Sequence, residues 1–218
     1  MIVETEGLLF DMDGVLVSSI ASVNRCWRKW AVMHGIPGGA TIEVPHGTRA
    51  LDIIRAWTPA LDPAVGLREI EALEEADLGG LEVLPGAAAL LAALDPSRWA
   101  IVTSATRRLL EVRLATAGLP VPAHSVSAES VTLGKPHPEP YRRGAALLGL
   151  PPSACVVAED AATGVAAGLA AGCRVIGVLG TQDAAALQRE GATWLVASLA
   201  NVRVVEGGSG ATLRLDVG

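Results

Sequence analysis

The chain has 218 residues, 50% of them hydrophobic and 18% charged, with 17 Lys+Arg against 23 Asp+Glu and a net charge of −6. Length and apolar content exclude disorder as the main state and fit one large domain, or a core with a smaller inserted one. A net negative chain without basic blocks excludes nucleic acid and anionic membranes as natural partners. Three cysteines, Cys26, Cys155 and Cys173, share no metal-ligand spacing and are odd in number, so they read as buried reduced thiols.

In chain order, residues 7–10 are a short apolar run ending in Asp11-Met-Asp-Gly14, a buried strand leading into a tight turn. Ser18 or Ser19 can cap a helix running to about His34, with Val23, Trp27 and Trp30 on one face. After the break at 35–39, residues 48–78 read as helical with interruptions near Pro59 and Pro63. No strand pattern occurs between Ser18 and Glu82. From residue 87 the texture changes. Helices are expected over 87–94, 107–117, 140–148, 163–171 and 184–190, and strands over 99–104, 124–127, 155–158, 175–178 and 194–196. Strands alternating with helices imply right-handed crossovers and a mostly parallel sheet. The tail, 202–205 and 211–217 around the Gly-rich 206–210, suits an antiparallel hairpin.

The expected fold class is therefore α/β, a Rossmann-like, mostly parallel sheet core interrupted after its first strand by a helical insert. The boundaries are 1–17 and 85–218 for the core and 18–84 for the insert. The richest apolar stretch, 161–178, is dense in Gly and Ala and contains Arg174, which suits a buried helix and strand better than a membrane span. With Glu4 and Glu6 near the start and no basic segment before an apolar run, no signal peptide is expected, and hence a cytoplasmic location.

Ligands of open α/β sheets bind beyond the carboxyl ends of the strands. The polar residues expected there are Asp11 and Asp13, then Thr103 and Ser104, then Glu159 and Asp160, with Lys135 in the loop starting at Gly134. Carboxylates gathered on one rim repel unless a cation joins them, and an all-oxygen set suits Mg²⁺. With a lysine, they make a pocket for a dianion. A carboxylate nucleophile, a metal and a lysine suit phosphoryl transfer through an aspartyl phosphate. Each element also has a plain reading: Asp-x-Asp-Gly as a turn, Thr103-Ser104 and Glu159-Asp160 as helix caps, Lys135 as a solvated side chain. All four in this order at successive strand ends outweigh those readings.

Phe10-Asp-Met-Asp-Gly-Val-Leu16, Val102-Thr-Ser104, Gly134-Lys-Pro-His-Pro138 and Val157-Ala-Glu-Asp-Ala161 with Gly164 resemble the four motifs of the haloacid dehalogenase-like hydrolases. The resemblance covers nearly the whole chain. Its two-aspartate first motif implies a phosphatase or phosphomutase rather than a dehalogenase. It implies Asp11 as nucleophile and Mg²⁺ ligand, and Asp13 as general acid/base lending its backbone carbonyl to the metal. Thr103, with Ser104, would hold the phosphoryl oxygens, and Lys135 would neutralise charge. Asp160 would bind Mg²⁺ directly, and Glu159 directly or through water.

The insert would be the helical cap of the β-phosphoglucomutase-like branch. Pro45-His-Gly-Thr-Arg-Ala-Leu-Asp52 and Trp99-Ala-Ile-Val-Thr-Ser104 resemble the phosphatases of 2-deoxyglucose 6-phosphate and glycerol phosphate. His46 and Arg49 are the candidate substrate contacts in that loop. Mutases usually carry a histidine where this chain has Val23, which argues for hydrolysis. Ser18 stands where many relatives have aspartate, and Ala161 replaces a frequent serine. His137 reads as a structural loop residue and the tryptophans as packing. The expected enzyme is a monomeric Mg²⁺-dependent phosphatase of a small phosphorylated sugar or polyol. Its rivals are a β-phosphoglucomutase-type mutase and a catalytically silent binding relative.

Overall fold

The computed structural model describes residues 1–205 and 212–218. Strand β1 (Ile2–Thr5) is followed by β2 (Gly7–Phe10), all four residues of which are buried. An apolar run without alternation is what a strand covered on both faces requires. β2 lies inside a six-stranded, wholly parallel sheet with β3 (Trp99–Val102), β4 (Ser125–Val126), β5 (Cys155–Glu159), β6 (Arg174–Val178) and β7 (Trp194–Val196). The spatial order is β4-β3-β2-β5-β6-β7, so the chain builds outward on one side of β2 and then returns to build on the other. Side chains alternate across the sheet. Leu8, Phe10, Ile101 and Val156 join one apolar layer, and Leu9, Ala100, Val102 and Val157 the other.

Of the four α-helices between β2 and β3, the first three are α1 (Ile20–Met33), α2 (Ala50–Trp57) and α3 (Pro63–Ala76). The helical stretch expected over 48–78 is thus two helices, split at 58–62. Asp62 restarts the chain as N-cap of α3, accepting from the Ala64 amide at 2.9 Å, with Pro63 at the first helical position. The three helices enclose a separate apolar cluster that includes Trp27, Trp30, Ile53, Ile54 and Ile70. Trp27 meets Trp30 and Trp57 edge-on at 5.4 and 5.6 Å between ring centroids.

The two chain passages joining this unit to the sheet run side by side. Leu84 N–H donates to Leu16 O and Ser18 N–H to Glu82 O, both at 2.9 Å, and the Ser18 hydroxyl accepts from Glu82 N–H. Ser18 thereby fastens the crossing.

The sheet is completed by α4 (Ala87–Ala93), α5 (Arg107–Ala117), α6 (Glu139–Leu147), α7 (Ala162–Ala171) and α8 (Ala184–Arg189). β8 (Val202–Val205) and β9 (Leu213–Val217) pair antiparallel, as expected of the tail, while the Gly-rich 206–210 and residue 211 lie outside the described residues. β1, absent from the sequence expectations, pairs antiparallel with β9 to make a separate three-stranded sheet. Its four residues have their partner at the far end of the chain, so no local signal marks them. All three cysteines are buried free thiols. Among the described residues, no helix is long and apolar enough to cross a membrane.

Trp30 has no exposed surface and anchors the three-helix cluster. Trp30→Ala is expected to cost about 3–5 kcal/mol, the range for removing a buried aromatic. Urea denaturation followed by near-UV circular dichroism checks this.

Candidate active site

β2, β3 and β5 are adjacent, so their carboxyl ends bring three segments of the chain to one rim. Asp11 follows β2, Thr103 follows β3, Glu159 ends β5 and Asp160 follows it. All four are buried, as is Lys135. The turn after β2 is drawn tight by four bonds: Val15, Leu16 and Val17 N–H to Met12 O, and Gly14 N–H to Val17 O. Gly14 has φ +82°, and a Cβ there would come within 1.9 Å of Asp160 Oδ2. Only glycine fits this backbone and this close approach. Gly164 on α7 meets the same constraint, since its Cβ would lie 1.8 Å from Glu159 Oε1.

Lys135 occupies the centre of the buried charge. Its ammonium donates to Asp11 Oδ1 at 2.8 Å, Glu159 Oε1 at 2.6 Å and the Val102 carbonyl at 3.0 Å, using all three donors. Burial opposes its charge, but Asp11 and Glu159 outweigh burial and hold its pKa above the ordinary lysine value. Glu159 is fully engaged. Oε1 also accepts from the Tyr141 hydroxyl at 2.7 Å, and Oε2 from the Asp160 and Ala161 amides at 3.0 and 3.2 Å. Burial first, then repulsion from Glu159 and Asp11, pushes Asp160 well above the usual carboxylate range. Asp11 is also pushed up by burial, with Lys135 pulling it back and Glu159 and Asp13 adding to the rise.

Oxygens of Asp11, Glu159 and Asp160 lie within 4.8 Å of one another. Asp160 Oδ2 is buried without a hydrogen-bond partner. Three carboxylates share one ammonium, which leaves an excess of negative charge and an orphaned oxygen. This donor set fits a small, hard divalent cation such as Mg²⁺.

A cavity opens in front of these groups. Asp11, Asp13, Thr103, Ser104 and Asp160 line its core side, and Val23, Trp27, His46, Thr48 and Glu71 the side of the three-helix insert. The 46–48 loop is tied to the core at two adjacent carbonyls. Ser104 Oγ donates to Gly47 O at 2.6 Å, and Thr163 Oγ1 to His46 O at 3.0 Å. Burial lowers the His46 pKa, with Glu43 and Asp13 pulling the other way.

The structure therefore brings together Asp11, Asp13, Thr103, Ser104, His46 and Asp160 around the cavity, with Lys135 and Glu159 directly behind. Arg49 is not among the lining residues. Its guanidinium forks onto Asp52 at 2.8 and 3.1 Å and donates to the carbonyls of Val131 and Thr132, both at 3.0 Å. Arg49 thus braces the insert against the loop that carries Lys135. His137 accepts from the Glu139 amide within that loop.

Three groups escaped the sequence reading. Tyr141, the only tyrosine, stands six residues beyond Lys135 and completes the bonds of Glu159. Ser19 sits at the N-cap of α1, but its hydroxyl bonds Asp13 Oδ1 rather than the helix. Arg113 on α5 pairs with Asp13 and with Glu74 of α3. Both charges interrupt apolar stripes, Leu109-Leu110-Leu114 and Ile70, and such interruptions are the signal that could have found them.

Known proteins resemble this chain over most of its length. A family model of haloacid dehalogenase-like hydrolases matches residues 5–172. Hexitol phosphatase A of Escherichia coli K12 is 44% identical over 183 residues, covering 82% of this chain and 85% of that protein. Glycerol-1-phosphate phosphohydrolase 2 of Saccharomyces cerevisiae is 34% identical over 208 residues, covering 90% and 83%. The crystal structure of a hydrolase of this family from Deinococcus radiodurans, with bound phosphate and sodium, matches with a TM-score of 0.66 and 32% identity over 90% of this chain and 92% of that one. With the four motifs converging on one charged rim and relatives of this likeness, the chain belongs to the haloacid dehalogenase-like hydrolases and is a phosphatase.

Proposed function

We propose that this enzyme hydrolyses a small sugar or polyol phosphate through an aspartyl phosphate on Asp11. The observation that carries the reading is the Asp11 carboxylate, buried against Lys135 at 2.8 Å and facing the cavity beside Asp160. Hexitol phosphatase A and the glycerol-1-phosphate phosphohydrolase act on polyol phosphates by name, which supports that substrate class for this chain.

In this reading Asp11 attacks phosphorus, with Lys135 holding its charge and offsetting that of the phosphoryl group. Thr103 and Ser104 supply hydroxyl donors to the phosphoryl oxygens from the end of β3. Asp13 protonates the departing alkoxide and then takes a proton from the water that hydrolyses the aspartyl phosphate. Asp11, Asp160 and the Asp13 carbonyl would hold Mg²⁺, with Glu159, braced on Lys135 and Tyr141, joining them directly or through water. The bound ion would supply neutralisation of the clustered carboxylates and of the phosphoryl charge.

The three-helix insert, residues 18–84, acts as a cap over the rest of the substrate. His46 and Thr48 face the cavity from its loop, and Arg49 serves the same loop as a brace. Val23 also lines the cavity, where it offers no proton-transferring group for a sugar ring, and this favours hydrolysis over isomerisation.

A panel of phosphate esters with Mg²⁺ is expected to give highest kcat/KM on hexitol or glycerol phosphates. Asp11→Asn should abolish turnover while leaving the circular dichroism spectrum unchanged. Turnover by pure Asp11→Asn would exclude the covalent route.

Chelation with EDTA should abolish phosphate release, and Mg²⁺ should restore it. At about 100 times its Kd, the ion should add about 2.7 kcal/mol of stability. That raises Tm by roughly 2–4 °C per kcal/mol. Differential scanning calorimetry of the wild type and Asp160→Asn checks this, the variant losing the shift.

Arg49→Ala is expected to lower kcat/KM on a polyol phosphate and on p-nitrophenyl phosphate by similar factors. A brace affects the seating of the loop rather than one substrate's hydroxyls. Steady-state kinetics on the two esters separate the cases.

A further inference from the structure

Arg113 lies on α5 in the stripe of Leu109, Leu110 and Leu114, where its charge is almost fully buried. A helix packed against a sheet has no packing reason for a guanidinium there, and a buried charge is destabilising unless paired. Arg113 is paired twice. Nη1 donates to Asp13 Oδ2 at 2.7 Å, and Nη2 to Glu74 Oε2 at 2.6 Å. Asp13 belongs to the turn after β2, Arg113 to the core, and Glu74 to α3 of the insert. The other oxygen of Asp13 is taken by the Ser19 hydroxyl at the start of α1. Both Asp13 oxygens are thus held by groups that belong neither to its own turn nor to a substrate.

We propose that Arg113 is a positioning residue for Asp13, anchored from the insert by Glu74, so that the acid/base is aimed correctly only when the insert is seated. The inference rests on the reading of Asp13 as general acid/base. The guanidinium is planar, and its fork fixes the direction of each bond, so the two carboxylates it joins are fixed relative to one another. α5 is packed into the core through Leu110 and Leu114, which makes Arg113 the reference for both. When α3 moves, Glu74 leaves one side of the fork and Arg113 is free to swing with Asp13. Through this chain of contacts the position of the insert reaches the atom that protonates the leaving group. Asp13, Glu74 and Arg113 all line the cavity, so substrate entering it meets the linkage directly.

The test uses kcat/KM, which covers the steps through departure of the leaving group. It compares glycerol 1-phosphate, a poor leaving group that needs a proton, with p-nitrophenyl phosphate, which does not. Asp13→Asn should lose roughly 10²–10⁴-fold on the alkyl ester and far less on the aryl ester, as expected for lost proton transfer.

Arg113→Met should show the same asymmetry at smaller size, roughly 10–10²-fold on the alkyl ester, a share of the proton-transfer contribution. Arg113→Lys should recover part of the loss, and Glu74→Gln should show a weaker form of it. In an Asp13→Asn background, Arg113→Met should cost nothing further on the alkyl ester. If the lone Glu74 carboxylate prevents Arg113→Met from folding, Arg113→Met with Glu74→Leu removes both charges and carries the same expectation. Equal losses on both esters in folded variants, or an undiminished Arg113→Met loss in the Asp13→Asn background, would overturn the positioning role. Asp13→Asn without the asymmetry would instead overturn the acid/base reading beneath it.

Discussion

The ammonium of Lys135 is the interaction on which the site depends. Three carboxylates, Asp11, Glu159 and Asp160, are buried at the ends of β2 and β5, and buried charges persist only when paired. Lys135 comes from a loop on the other side of β3 and spends every donor on this group, two on carboxylates and one on the Val102 carbonyl that ends β3. It therefore ties the ends of three strands together. Tyr141 stands behind it, with the ring centroid 5.0 Å from the ammonium and its hydroxyl on Glu159. One positive charge against three negative ones still leaves an excess, and Asp160 Oδ2 remains unpaired. Asp11, Glu159 and Asp160 are spaced so that they could hold a cation.

The same electrostatics constrain residues that carry no charge. Gly14 and Gly164 stand where the carboxylates of Asp160 and Glu159 occupy the volume of a side chain. The strands below are wholly apolar because the sheet is covered on both faces, so polar chemistry is confined to their ends. Confinement is useful here. It places Asp11, the Thr103 and Ser104 hydroxyls and the Lys135 ammonium at one rim, where their relative positions follow from the parallel register.

Between the insert and the core the bonding is of another kind. Each has its own apolar cluster, and the contacts that join them are mostly polar: Ser104 to Gly47, Thr163 to His46, Arg49 to two carbonyls, and Arg113 to Glu74. Polar contacts exchange for water at far less cost than an apolar core does. Two chain passages, clasped at Ser18, connect the parts. In the proposed role of the insert as a cap, this arrangement would let it shift as a unit while both cores stay intact.

The sequence by itself determined the parallel core, the helical insert and the rim residues, because each is written locally. An apolar run of four or five residues ending in a carboxylate or hydroxyl is visible without its neighbours, and so is a tryptophan face on an amphipathic helix. Asp11, Thr103 and Asp160 were legible for this reason, and Lys135 through the Gly134-Lys-Pro136 stretch in the loop before a helix. What only the tertiary structure decided are pairings between distant segments. β1 has its partner at the opposite end of the chain. The guanidinium of Arg49 turns to Asp52 and the core carbonyls instead of the cavity, a choice set by which acceptors the fold places within reach. Arg113 and Glu74 each look like a misplaced charge on an apolar stripe, and the buried pair with Asp13 exists only once α3, α5 and the turn after β2 are packed together. Local periodicity encodes which side of a helix is apolar, but the partner of a charge that breaks the pattern is fixed by long-range packing alone.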